Sequence, residues 1–291
     1  MKLATIVVMI VMGASLVAAI QMGKPEVRGV KSEWGSINES ITEIITEVYV
    51  YNPYPVSLPI RDIHTEIYMN GIKMGEGSAL RVGIAPRTES AIVMSTKIKN
   101  SLIPKWWVSH IKNGEKSVVV VKGDIVFDFW VAEWEYPVEM SYPVTTDILS
   151  GLNLKQAQYT CIKMENFGLK WGVVTEKYTE MKVSATMSND CMYPITFRDV
   201  RYSIDVNGVE LGEGVSKIET TVHPNSKRIV TFEMRINNQM LEKWWVQHVK
   251  NGEVSRGKVT IQPLIEIADR SFRITIERNF DFTTNLLSES G

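Results

Sequence analysis

Four histidines, two cysteines and a scatter of serines and carboxylates are the side chains of this chain that could do chemistry. His110 and His248 draw attention first, because each follows a tryptophan by one helical turn: Trp106 with His110, and Trp244 with His248. On a helix, residues four apart share a face, so each pair forms a Trp–His stripe. An imidazole there could act as a base, a metal ligand or half of a recognition surface. The plainer reading is a half-buried tryptophan covering the end of a core, with the histidine near a helix C-terminus where positive charge is favoured. The candidate functional assignment is a contact surface made by Trp106, His110, Trp244 and His248, for a partner protein, the other half of the chain or a lipid headgroup region, where tryptophan is favoured.

Other chemistry finds little support. His64 and His223 stand apart from the other two, and no cysteine pair has zinc-ligand spacing, so no metal site is read. Gly75-Glu76-Gly77 and Gly212-Glu213-Gly214 lack the spacing and the following Lys-Ser/Thr of a phosphate loop, and read as a turn or bulge leaving a hairpin. No serine is ordered with a histidine and an acid in a way that marks a nucleophile. Neither an enzymatic activity nor a cofactor is assigned. A net charge of −1 without a basic cluster excludes a nucleic-acid surface. Cys161 and Cys191 both lie in the second half and have no counterparts in the first. Two free thiols is therefore the preferred reading, with an added disulfide as the alternative outside the cell. Asn38-Glu39-Ser40 has the pattern of a glycosylation acceptor.

The elements that must hold these residues occur twice. Lys105-Trp106-Trp107-Val108 through His110 to Lys112-Asn113-Gly114 returns as Lys243-Trp244-Trp245-Val246 through His248 to Lys250-Asn251-Gly252. Arg61-Asp62 returns as Arg198-Asp199, Asn70-Gly71 as Asn207-Gly208, and Thr145-Thr146 as Thr283-Thr284. The period is that of a whole domain rather than of a solenoid unit. Within a chain of 291 residues that is 44% apolar, each copy of about 120 residues can bury its own core.

Ile44, Thr46, Val48 and Val50, matched by Met181, Val183, Ala185 and Met187, alternate with polar neighbours and predict a strand with one inward face. Ile63, Thr65, Ile67 and Met69, matched by Val200, Tyr202, Ile204 and Val206, predict a second strand, which runs into Asn-Gly, the signature of a type I′ hairpin. A third inward row is Ile92, Met94, Thr96 and Ile98, matched by Val230, Phe232, Met234 and Ile236. The spacing of Ile103, Trp107 and Ile111, and of Leu241, Trp245 and Val249, predicts a short amphipathic helix over Leu102–Lys112 and its repeat. Asn100 or Ser101 would cap it and Asn113-Gly114 would stop it. The exposed row Glu47, Tyr49, Tyr51, His64, Glu66 and Tyr68 is more aromatic than its repeat, which suggests either packing against something or cross-strand pairing.

The fold class follows: all-β, two immunoglobulin- or fibronectin III-like antiparallel sandwiches in tandem, each with one helix. Residues 25–150 form the first, 151–162 a linker and 163–288 the second. Ahead of them, residues 3–20 (Leu3 to Ile20) carry no charge and are long enough, at about 1.5 Å per residue, to reach across most of a hydrocarbon core of about 30 Å. The expectation is a membrane anchor that leaves both domains outside the cytoplasm, with a signal peptide cleaved within Ala14-Ser15-Leu16-Val17-Ala18-Ala19 as the alternative.

Asn52-Pro53-Tyr54-Pro55 leading into Leu58-Pro59-Ile60-Arg61-Asp62-Ile63, then the alternating strand, the glycine-rich segment and the helix, resembles the type 2 late embryogenesis abundant proteins, which carry the water stress and hypersensitive response (WHy) domain. The second copy keeps the asparagine, in Asn189-Asp190-Cys191-Met192-Tyr193-Pro194, and has Asp190 where Pro53 stands. The resemblance implies a fibronectin-like sandwich, a protective role during desiccation or other stress, and no catalytic residue. The rival reading is an extracytoplasmic binding module for a protein, glycan or lipid, including lipid transfer.

Overall fold

The computed structural model describes residues 26–128, 133–152 and 156–284. The expected anchor at 3–20 lies outside the described residues. Among those described, no helix is long and apolar enough to cross a membrane.

Contacts divide the chain into two compact units, one drawn mainly from residues 26–109 and 116–145, the other from residues 146–283 together with 110–115. In the first repeat, β1 (Glu26–Ile37), β2 (Ile41–Tyr51) and β5 (Glu89–Lys99) form one layer, and β4 (Ile72–Ile84), β3 (Leu58–Met69), β6 (Lys116–Asp128) and β7 (Glu133–Thr145) the other. All neighbours are antiparallel, in the order β1-β2-β5-β4-β3-β6-β7, and only a short ladder, Gly75↔Ile98 to Ser78↔Ser95, joins the layers. The inward rows meet: Val48, Val50, Ile92 and Met94 of one layer pack on Ile60, Ile63, Ile67, Val121 and Ile125 of the other. The alternating burial of β2 shows why the sequence reads so directly as a strand, since a period of two puts every second side chain on one face.

The second repeat reproduces this plan. Strands β9 (Ile162–Val174), β10 (Tyr178–Asn189) and β13 (Ser226–Asn237) form one sheet, extended by the three-residue β8 (Ala157–Tyr159), which lies within the stretch read as linker. Strands β12 (Val209–Val222), β11 (Ile195–Val206) and β14 (Val254–Ile267) form the other, with β15 (Arg270–Arg273) and β16 (Ile276–Thr283) both pairing β14. The fold is thus all-β with a sandwich in each repeat, as expected.

Both Asn-Gly turns are type I′: φ is 50° and 77° at Asn70 and Gly71, and 55° and 75° at Asn207 and Gly208. The Gly-Glu-Gly segments lie inside β4 and β12 rather than in turns. Just before each, Met74 and Leu211 are extra residues in the β3–β4 and β11–β12 ladders, buried bulges that bend the strand. Glycine is required at 75 and 212 because a Cβ there would run into the backbone carbonyl of Lys97 or Arg235 on the facing strand.

The helices α1 (Ile103–Lys112) and α2 (Leu241–Lys250) bury the predicted stripe of Ile103, Trp107 and Ile111, and of Leu241, Trp245 and Val249. Gly114 and Gly252 end them at φ 68° and 69°. The expected cap needs correcting. Asn100 is fully buried in a 3-10 turn and accepts from Thr42 Oγ1 at 2.8 Å while donating to the carbonyls of Asn38 and Glu39. It ties the β1–β2 turn to the core, and Asn238 does the same with Thr179 and Thr175.

The cysteines also need correcting. Cys161 and Cys191 form a disulfide, with Cα atoms 5.1 Å apart, that fastens the start of β9 to the loop after β10. Two cysteines so placed face each other only because β9 and β10 are paired along their length, a long-range fact that spacing alone does not carry.

Candidate functional site

The stripe singled out on each helix faces inward. Trp106, His110, Trp244 and His248 are 7%, 1%, 5% and 0% exposed, so none of the four rings is presented to solvent. Trp106 Nε1 donates to Ser117 Oγ and Trp244 Nε1 to Ser255 Oγ, each at 2.9 Å, from the helix to the first strand after it. A buried indole N–H needs such a partner, since leaving it unpaired costs about 1–3 kcal/mol.

In the second repeat the same hydroxyl lies 2.8 Å from His248 Nδ1. The serine accepts from the indole and has its own proton to give, an arrangement that suits a neutral imidazole with Nδ1 as acceptor. Burial disfavours the charged ring and pushes its pKa down to about 4, against a smaller opposing pull from Glu253. Trp244 stacks on one neighbour of this cluster and Phe282 closes it: the Trp244–His248 and His248–Phe282 centroids are 5.2 and 5.9 Å apart. His110 is solved differently. Its Nε2 meets Thr146 Oγ1 at 2.8 Å, and that hydroxyl donates to Glu115 Oε2, which also accepts from the amide of Ile148. The threonine proton is thereby committed, so Nε2 must donate. Burial lowers the His110 pKa as well, with Glu115 again opposing.

Serine, histidine and glutamate within one cluster invite comparison with a nucleophile, its base and an orienting acid. Ser255 is 0% exposed, its oxygen is engaged by Trp244, and the base is too weak to take a proton near neutrality. The cluster is an internal brace between helix and sheet. Its acidic members, Glu115 and Glu253, are buried at positive φ (60° and 63°), directly after the helix-stopping glycines. Holding a non-glycine residue there costs roughly 1 kcal/mol and is repaid by what its carboxylate and backbone bind; Glu253 N, for example, donates to the carbonyl of His248.

Asparagines form the second recurrent device. Asn52 is fully buried; its Nδ2 donates to the carbonyls of Val56 and Ile84, and its Oδ1 accepts from Tyr54 N. Asn189 makes the equivalent bonds to Tyr193, Val222 and Cys191. The Asn-Pro element thus closes the loop that turns the chain from one sheet to the other. Where the second copy lacks the proline, the disulfide holds the same loop, beside a Lys163–Asp190 ion pair of 2.7 Å.

Sequence reasoning missed Ser117, Ser255, Glu115 and Glu253. The available signal was their recurrence: Gly114-Glu115-Lys116-Ser117 returns as Gly252-Glu253-Val254-Ser255. The exposed tyrosine row is accounted for locally. Tyr49 and Tyr68 donate to Glu47 and Glu66, two residues back on the same face, and Arg28 lies 3.9 Å over the Tyr51 ring. Among the described residues no group of histidine, cysteine and carboxylate side chains could hold a metal ion.

The model of the family described as late embryogenesis abundant protein (LEA_2) matches twice, over residues 47–141 and 185–280. A crystal structure of a protein from Archaeoglobus fulgidus is 37% identical to this chain, covering 43% of it and 99% of that protein, with a TM-score of 0.41. A solution structure from Arabidopsis thaliana is 18% identical over 46% of this chain and 87% of that one, with a TM-score of 0.33. No curated protein matches the chain.

Proposed function

The chain belongs to the late embryogenesis abundant family, and on that premise we propose that it is a membrane-anchored, non-catalytic stress-protective protein whose two folded units work outside the cytoplasm when water is withdrawn. The observation that carries this reading is how the interior polar groups are satisfied. Asn52, Asn100, Asn189, Asn238 and the Trp–Ser pairs take their hydrogen bonds from the chain itself. Withdrawal of water weakens the hydrophobic drive, but bonds closed within the protein do not depend on it. The exterior carries charges of both signs in close pairs, such as Lys73 with Glu66 and Glu76, and Arg198 with Glu219 and Glu266. Folded units with such a surface can stand between other proteins, or over a bilayer, and block the apolar contacts that form as hydration is lost. The uncharged run Leu3 to Ile20 supports tethering to a membrane.

A lipid carrier would need an apolar tunnel through a unit, and the middle of the first is filled by Val48, Ile63, Ile92, Val121 and Ile125. The test is to dry a labile enzyme with the chain from Pro25 onward and measure activity after rehydration. Recovery above that given by an equal mass of an inert globular protein is expected, and equal recovery would overturn the proposal.

A further inference from the structure

The two layers of each repeat meet at the same seam, between β4 and β5 or between β12 and β13, and the seam is closed differently in the two. In the first, the strands pair over Gly75 to Ser78. In the second, β12 and β13 are terminal strands of separate sheets. Two side chains stand in for the ladder there: Ser216 Oγ accepts from the amide of Glu233 at 3.0 Å, and a tyrosine on the adjoining strand stands where the first repeat has a threonine. Thr65 is small, and its hydroxyl donates to the Gly77 carbonyl. Its counterpart Tyr202 lies against Gly214, where even a Cβ would meet the ring, and its hydroxyl accepts from the amide of Arg235 at 3.0 Å. The tyrosine occupies a hydrogen-bonding place that a strand neighbour would otherwise take, and β12 and β13 do not pair there although they approach closely at Gly212.

Along this seam lies a cleft of about 700 Å³ within the second unit, lined among others by Lys177, Tyr178, Tyr202, Glu210, Glu213 and Arg235. The first repeat has a smaller cleft, about 470 Å³, at the equivalent place, with Ile41, Thr65's neighbour His64, Glu76 and Lys97 along it and no tyrosine. Pockets of about 300–1,000 Å³ suit small organic ligands.

We propose that the cleft of the second unit binds a neutral, polyhydroxylated small molecule of disaccharide size. The lining mixes two carboxylates, which only accept, with an ammonium and a guanidinium, which only donate. An anion would face Glu210 and Glu213, and a cation would face Lys177 and Arg235. A hydroxyl both donates and accepts, so a polyol can satisfy both sets at once. Half-buried Tyr178 and Tyr202 add aromatic surface for the C–H faces of a sugar ring. Arg235 is held in place over the Tyr178 ring, 4.7 Å from its centroid, and 3.6 Å from the buried carboxylate of Glu180. Gly212 and Gly214 also line the cleft, packed against the Arg235 carbonyl and the Tyr202 ring.

The test is saturation-transfer NMR on the full chain with sucrose as probe, with citrate and choline as anionic and cationic controls. Sucrose is expected to give a saturable signal and the controls none. Tyr202→Thr, which installs the first repeat's residue, should close the seam and weaken sucrose binding about tenfold or more while thermal unfolding still shows a folded unit. Glu213→Gln, an exposed change that leaves the core intact, should also weaken it and serves if Tyr202→Thr does not fold. No saturable sucrose signal, preferential binding of citrate or choline, or sucrose binding indifferent to the foldable variants would each overturn the proposal.

Discussion

Reduction of the Cys161–Cys191 bridge should destabilise the second unit and leave the first where it is. The bridge closes a loop with a sequence separation of 30, and the loss of loop-closure entropy in the unfolded chain is then worth about 3.6 kcal/mol. The native loop has other anchors: Asn189 holds it through three hydrogen bonds and Lys163 pairs with Asp190. Cutting the bridge therefore acts mainly on the unfolded ensemble, and the folded unit keeps its shape. For a unit of this size the cost corresponds to a fall in melting temperature of roughly 10 °C. Scanning calorimetry of the chain with and without reductant, and of a Cys161→Ser/Cys191→Ser variant, reads it out. The first repeat contains no cysteine and supplies the internal control. A second-unit transition that does not move, or two thiols titrating in the unfolded, unreduced protein, would refute the reasoning.

Acid should act through His248. Its pKa is lowered to about 4 in the folded state against about 6.5 when unfolded, so the unfolded chain takes up the proton first as pH falls. The stability conferred by the neutral ring is full above pH 6.5 and is lost progressively between 6.5 and about 4, up to about 3 kcal/mol; urea unfolding across that range should show the loss, and His248→Gln should flatten it. Ser255→Ala leaves Trp244 Nε1 and His248 Nδ1 without their shared partner and should cost about 2–4 kcal/mol in urea melts. Gly212→Ala forces a methyl against the Arg235 carbonyl and should cost about 1–3 kcal/mol, with Gly75→Ala behaving alike in the first unit; neutrality at both would contradict the close approach of the seam strands.

What could be read from the residues depended on whether a signal was local. The rows Ile44 to Val50 and Ile92 to Ile98 announce strands because alternation is a property of neighbours, and both turn out buried as written. The Asn-Gly hairpins and the helix stripe at Ile103, Trp107 and Ile111 were equally legible. Strand β1 was not, since Glu26, Arg28, Lys31 and Glu33 on an edge strand leave little apolar pattern to find. Asn100 stands where a helix cap would, whereas its bonds go to Thr42 and the β1–β2 turn, far away in sequence. Trp106 and Trp244 lie deeper than a half-buried cover over the end of a sandwich. An indole with a serine waiting for its N–H can be buried whole, and the serine's identity becomes visible only when the two copies are laid side by side. The disulfide and the Tyr202 wedge belong to the same class of fact, contacts between strands that pairing brings together.

Protection by folded sandwiches requires that their internal bonds survive the loss of water. Infrared spectroscopy of the amide I band during drying and rehydration measures this directly. An antiparallel-sheet band that persists in the dry state and an unchanged melting transition on rehydration are expected; loss of that band on drying, or conversion to helix, would contradict protection by the folded state.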